Sequence, residues 1–155
     1  MSADPVRIGV VGLNYWGPNL ARNVDRLPGA ELAWCCDLDE KILVRMSAQF
    51  PDAKTTAELD DVLADDSVDA VIVATSVPTH YLLGKRVLEA GKHAFIEKPL
   101  AVRAADAEDL VRVAEAHDRR LMVGHLLEYH PAVRKVKELI DAGDLGAYST
   151  STRTA

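Results

Sequence analysis

Several features are scarce in this sequence, and each scarcity removes a class of protein. It has only two cysteines, Cys35 and Cys36, adjacent in a strand-like run, so no long-range disulfide staple is available. A reducing cytoplasm is the simplest compartment, and the pair reads as small buried hydrophobes. No apolar run approaches the ~20 residues that span a bilayer. The N-terminal MSADPVR lacks the charged-then-apolar order of a secretory signal. Basic residues are outnumbered, 18 against 24 acidic, for a net charge of −6. That balance argues against the basic stripe of a nucleic-acid binder. HExxH and C-x-x-C are absent, so no metal site is expected. G-x-S-x-G is absent too, and with it the nucleophile elbow. There is no low-complexity segment.

What remains is 155 residues, 48% hydrophobic and 27% charged, enough for one full globular domain. It is organised around Val6 to Val24. An apolar run (Ile8, Val10, Val11) stops at Gly12-Leu13-Asn14-Tyr15-Trp16-Gly17, and a helical pattern starts at once. Pro18 fits the first helical position, where its missing N–H is no loss. Leu20, Val24 and Leu27 then predict one buried helix face. Strand, glycine turn and helix in this order suggest a dinucleotide phosphate site. Asn14 replaces the middle glycine of G-x-G-x-x-G. Asn tolerates a left-handed backbone, and its amide either donates to a phosphate oxygen, the preferred reading, or crowds the cofactor. Tyr15 and Trp16 are expected to flank the cofactor or pack beneath it.

Further along, Glu31 to Cys36 predicts a second strand, ended by Asp37. Asp39 is a candidate N-cap for a helix burying Leu43, Met46 and Phe50, stopped by Pro51. Thr55 to Ala64 holds a brief extended piece and a short acidic helix. Ala70 to Ala74 is a continuous apolar run, as in a strand buried on both faces of a parallel sheet. Thr75-Ser76-Val77-Pro78 reads as a loop. The next helix carries Leu83, Val87 and Ala90 and ends at Gly91. His93 to Ile96 is a strand closed by Glu97-Lys98-Pro99; a helix with Ala107, Leu110, Val111 and Ala114 follows, then a strand Leu121 to Gly124. The alternation predicts an α/β fold with a doubly wound parallel sheet. Pro131 to Ala142 predicts one more helix, and Ala147 to Thr154 a strand. That strand is read as opening a second, truncated α/β domain; the alternative is a strand added to the main sheet. The expected division is a Rossmann domain over 1–125 and a connecting helix and first strand over 126–155.

In open α/β sheets the ligand sits outside the carboxyl ends of the strands. Those ends here are Gly12, Asp37, Thr75-Ser76, Lys98 and His125. Gly12 and Gly17 allow the tight turn that aims a helix N-terminus at a pyrophosphate. Asp37 lies twenty residues beyond Gly17, the separation expected of a carboxylate on the adenosine ribose. Its charge repels the 2′-phosphate of NADP, and no Arg occupies the next three positions, so NAD is favoured. Lys98, pushed into an extended conformation by Pro99 across a bond that can be cis, can exchange protons with a substrate hydroxyl. His80 is a candidate for cofactor or substrate contact. His125 and His130 are substrate-side candidates, whereas His93 is read as structural.

GVVGLNYWGPNLARN, the Asp37 strand end, ATSVPTHY, AGKHAFIEKPLA and VGHLLEYHPAV occur in this order and together resemble the glucose–fructose oxidoreductase/inositol dehydrogenase (Gfo/Idh/MocA) family. The resemblance implies a dinucleotide-binding domain followed by a larger α/β domain over the active site. It implies NAD(P)-linked oxidation or reduction of a sugar-type carbon, with Lys98 assisting proton transfer and Glu97 orienting it. The family's cofactor contacts fall on Gly12, Asn14, Tyr15, Trp16, Gly17, Asp37, Thr75, Ser76, Pro78, His80, Glu97 and Lys98. Tyr129 joins His125 and His130 as a substrate-side candidate, and the YWGPN and EYHPAV wording is most like branches acting on sugars or nucleotide-linked sugars. The expected partner is a small sugar-type molecule, with neither nucleic acid nor membrane. Self-association is expected from apolar surface on the last helix and strand. The chain is expected to bind NAD without turning over substrate. Three alternatives stay open: a non-catalytic dinucleotide-binding or sensor module, glycoside cleavage by transient oxidation, and a methyltransferase-type Rossmann domain.

Overall fold

The computed structural model describes residues 4–146. The chain divides into two compact units, Met1–Gly124 and His125–Ala155. The first contains β1 (Val6–Val11), α1 (Gly17–Arg26), β2 (Ala30–Cys36), α2 (Glu40–Gln49), β3 (Lys54–Thr56) and α3 (Leu59–Ala64). It continues with β4 (Ala70–Val73), α4 (Val77–Glu89), β5 (His93–Ile96), α5 (Ala104–Ala116) and β6 (Leu121–Val123). The six strands form one sheet in the order β3-β2-β1-β4-β5-β6, with every pair parallel. This is the doubly wound architecture that the alternation predicts. Chain order reverses between β1 and β4, which opens a crevice at their carboxyl ends.

Side chains alternate across the sheet and build two cores. Val10, Leu32, Cys35 and Ile72 pack with Leu20, Ala21 and Val24 of α1 and Ile42 and Met46 of α2. Val11, Ala33, Cys36, Val71, Val73 and Ile96 face the other way, onto α3, α4 and α5. The register slips beside Ile8 and Gly9, where Leu32 and Trp34 are their partners and Ala33 is the extra residue. This bulge explains why Leu32 and Cys35, three apart, share a face. The two cysteines are free, and burial pushes their thiols up to about 11 for Cys35 and about 12 for Cys36.

The helices form where expected, but several bury a different stripe. Leu27 lies beyond the last turn of α1 and is 58% exposed, so the buried face is Leu20, Ala21 and Val24. On α2, Ile42 takes the deep position given to Leu43, and with Met46 and Phe50 it makes an i, i+4, i+8 stripe. Asp39 does cap this helix, accepting the Lys41 N–H at 2.8 Å. Val77 and Pro78 belong to the first turn of α4 rather than to a loop, and the face of α4 is His80, Gly84, Val87 and Leu88, with Ala90 outside. On α5 the buried residues are Leu110 and Ala114, whereas Val111 is exposed. A neighbouring position is rotated by ~100° around a helix, so a one-residue misassignment moves a side chain from core to surface.

The second unit holds a 3-10 turn, Leu126–Tyr129, and α6 (Pro131–Asp141). The expected strand from Ala147 to Thr154 lies outside the described residues. No helix among the described residues is long and apolar enough to cross a membrane.

Candidate functional site

The β1–α1 turn is held by contacts that leave no room for larger residues. Gly12 has φ +87°, and a Cβ there would stand 2.7 Å from the Thr75 backbone nitrogen. A Cβ on Gly17 would lie 1.9 Å from the Gly12 carbonyl oxygen. The start of α1 is therefore pressed against the turn, and the turn against the exit of β4. Neither a side-chain cap nor an acidic residue occupies the first turn of α1. Its leading N–H groups thus have no side-chain acceptor, which is the condition for holding an anion.

The Leu13 peptide is gripped from two sides. Its N–H donates to Asp37 Oδ2 at 2.6 Å, and its carbonyl accepts from Arg45 Nη2 at 3.3 Å. The other Asp37 oxygen accepts the Asp39 N–H at 3.0 Å. Asp37 is thereby fixed at the end of β2, against the glycine turn. Asn14 does not need the left-handed backbone: among the described non-glycine residues only Asp118 has positive φ. Asn14, Tyr15 and Trp16 are all exposed, Tyr15 at 90%, so Tyr15 does not pack beneath the turn.

At the exit of β4, Thr75 Oγ1 lies 2.7 Å from Thr79 Oγ1, and the latter donates to the Ser76 carbonyl at 2.7 Å. Ser76 precedes α4 as its N-cap without a side-chain bond, and Pro78 is exposed in the first turn. His80 differs from the expectation of an open contact residue. It is 1% exposed, with Nδ1 2.8 Å from the Pro99 carbonyl and Nε2 3.0 Å from the Thr75 carbonyl. It ties the β4 exit to the segment after β5 from beneath.

That segment carries Glu97 and Lys98, and the Lys98–Pro99 bond is cis. Glu97 Oε2 accepts the backbone N–H of Lys98 at 3.2 Å, so the carboxylate acts on the main chain of its neighbour. Glu97 Oε1 is buried without a hydrogen-bond partner. A Cβ on Gly124 would sit 3.0 Å from this carboxylate, so the absence of a side chain at the end of β6 makes its room. The Lys98 side chain is exposed. Gly12, Gly17, Asp37, Thr75, Ser76, Glu97 and Lys98 thus all occupy the carboxyl edge of one sheet.

The remaining candidates belong to the second unit. His125 precedes the 3-10 turn. Tyr129 has the Arg134 guanidinium 5.6 Å from its ring centroid. His130 caps α6, its Nδ1 accepting the Ala132 N–H at 3.2 Å. No group of three or more His, Cys, Asp or Glu among the described residues is arranged to hold a metal.

Two contacts at the site escape the sequence reading. Arg45 belongs to no motif in the sequence, and the signal for it is positional: the helix after β2 runs past the β1 turn. Gly124 reads only as the end of a strand, and nothing in the sequence pairs it with Glu97.

A family model described as an oxidoreductase family with an NAD-binding Rossmann fold, GFO_IDH_MocA, matches residues 6–125. The chain belongs to this family. It is similar to inositol 2-dehydrogenase 3 of Saccharopolyspora erythraea, 36% identical over 143 residues, 91% of this chain and 42% of that one. Among solved structures it resembles GenD2 from gentamicin A biosynthesis in complex with NAD (TM-score 0.87, 30% identity, 93% of this chain and 41% of that one). It also resembles the WlbA dehydrogenase from Bordetella pertussis in complex with NADH and UDP-GlcNAcA (TM-score 0.86, 28% identity, 94% and 42%). The chain spans about two-fifths of the length of these relatives.

Proposed function

We propose that this chain is the dinucleotide-binding part of an NAD-dependent dehydrogenase acting on a hydroxyl carbon of a sugar, polyol or nucleotide-linked sugar. The observation that carries the reading is the link from the Leu13 N–H to Asp37, which joins a phosphate-type turn to a ribose-type carboxylate. The donors fit the group: α1 offers uncapped N–H groups for a pyrophosphate, and Glu97 Oε1 is a buried acceptor still lacking a donor. Gly12, Asn14, Tyr15, Trp16, Gly17, Asp37, Thr75, Ser76 and Pro78 would hold the dinucleotide, which supplies hydride chemistry when bound. His80 serves from beneath, by holding the Thr75 and Pro99 carbonyls.

Lys98 exchanges a proton with the substrate hydroxyl, and Glu97 fixes the peptide that aims it. His125, Tyr129 and His130 are the substrate-side residues of this reading. The substrate class is supported by the inositol and nucleotide-sugar names of the relatives. Work in the cytoplasm and self-association complete the proposal.

Calorimetric titration of the chain with NAD tests it. Saturable binding with thermal stabilisation is expected, because a ligand that binds only the native state raises its stability by mass action. Neither heat nor a shift in melting temperature at millimolar NAD would overturn the reading.

A further inference from the structure

We infer that Arg45 is a second determinant of cofactor choice, an anion-binding donor whose pull on a 2′-phosphate opposes the push of Asp37. The inference rests on the dinucleotide reading above and deepens it at one end of that site.

The geometry begins with Leu13. Its side chain is fully buried, so the turn offers only its peptide groups at this point. Asp37 takes the N–H and Arg45 the carbonyl. A carboxylate and a guanidinium therefore stand on the two peptide groups of one residue, at the carboxyl ends of β1 and β2. The two charges hold successive peptide groups of one turn, and Arg45 forms no ion pair among the described residues. Arg45 is also exposed. A guanidinium has five N–H donors, and the Leu13 carbonyl takes one of them. The rest form a planar fork suited to phosphate oxygens.

Asp37 has the complementary geometry. Both of its oxygens accept backbone N–H groups, from Leu13 and Asp39, and they keep lone pairs for ribose hydroxyls. Its negative charge disfavours a phosphate on the ribose. The preference for NAD is thus a balance between two side chains, and removing one charge should tip it.

The test is calorimetric titration of NAD and NADP against the full chain, its Asp37→Asn and Arg45→Met variants, and the double variant. Asp37→Asn keeps an oxygen for the Leu13 N–H while removing the charge. It is expected to tighten NADP binding at least tenfold, and adding Arg45→Met should remove most of that gain. Arg45→Met alone should weaken NADP several-fold and change NAD by less than about twofold, whereas Arg45→Lys, keeping charge without the fork, should fall between. If Asp37→Asn does not fold, Asp37→Ser takes its place in the cycle, judged by circular dichroism. Equal weakening of NAD and NADP by Arg45→Met would mean that Arg45 only braces the turn, and would overturn the inference while leaving the dinucleotide reading intact. A wild-type chain that binds neither nucleotide would overturn that reading itself, and the inference with it.

Discussion

Lys92 and Lys98 are six residues apart and lie at opposite ends of β5. Lys92 is 4% exposed, and its ammonium donates to the Asp65 and Val68 carbonyls at 2.8 and 3.0 Å. Lys98 is exposed, and its ammonium meets no acceptor among the described residues. Their surroundings repeat the contrast. Near Lys92, Asp65 accepts from Trp34, Lys54 and Ser67, and Asp69 accepts the Arg7 N–H. Near Lys98, Glu97 Oε1 has no partner and the first turn of α1 has no side-chain cap. Polar groups at the amino edge are closed within the fold, where they add stability. At the carboxyl edge, Glu97 Oε1 and the leading N–H groups of α1 keep unused hydrogen-bonding capacity, which adds nothing to stability until a ligand arrives.

The largest break in this contrast is expected from Gly17→Ala. The new Cβ would overlap the Gly12 carbonyl, a backbone atom that cannot swing aside. Overpacking of this kind costs about 3 kcal/mol. Moving the α1 N-terminus off the turn should weaken NAD binding about a hundredfold. Calorimetry on a chain shown to be folded checks the second effect. Retained affinity would mean that the turn is not the phosphate site.

Next in size is Lys92→Met. Two buried carbonyls lose their donor, at about 1–3 kcal/mol each. The loss is partly offset because burial already disfavours the Lys92 ammonium and pushes its pKa down. A net loss near 2 kcal/mol is expected in urea unfolding, with NAD affinity unchanged. A change in affinity without a change in stability would reverse the roles assigned to the two edges.

The same contrast explains what could be read from the sequence. Strand order of types, the glycine turn, Asp37 at a strand end and the Asp39 cap all follow from local patterns, which carry period, punctuation and spacing. The two edges of the sheet differ in partner groups that are distant in sequence, and local patterns do not carry those. His80 illustrates the loss. A histidine early in a helix near a cleft reads as a contact residue, yet its ring is sealed between the Thr75 and Pro99 carbonyls. Arg45 is the converse case. Its position on an exposed helix face is bland until α2 is seen to pass the Leu13 carbonyl. Leu27 and Val111 fit a 3.6-residue period but fall outside the stripe that the sheet covers.

A smaller effect is expected on acidification. Hydrogen bonds from Ser67, Trp34 and Lys54 hold the Asp65 carboxyl well below the usual range. Its stabilising contribution is complete above the unfolded-chain value of about 3.9 and is lost as the pH falls below that toward the folded value. The Trp34 indole N–H donates to Asp65 at 2.8 Å, so its fluorescence follows the protonation of this carboxyl in the folded chain. In a Trp16→Phe background, urea unfolding should show stability falling below pH ~4, while the emission of the folded chain stays constant until well below that, where the native carboxyl itself takes up a proton. Emission of the folded chain that changes already near pH ~4 would detach Asp65 from the closed network.

The smallest change should come from Lys98→Met. Surface substitutions away from specific interactions usually stay within about 0.5 kcal/mol, and no side-chain bond is lost here. Unfolding in urea should therefore overlay the parent curve, in contrast to Lys92→Met at the other end of the same strand. A lysine that contributes nothing to the free fold but faces a proposed substrate hydroxyl is available for chemistry. A loss above about 1 kcal/mol would exceed that surface range. It would show that the Lys98 ammonium is already engaged within the fold, and the difference between the edges would then lie in exposure alone.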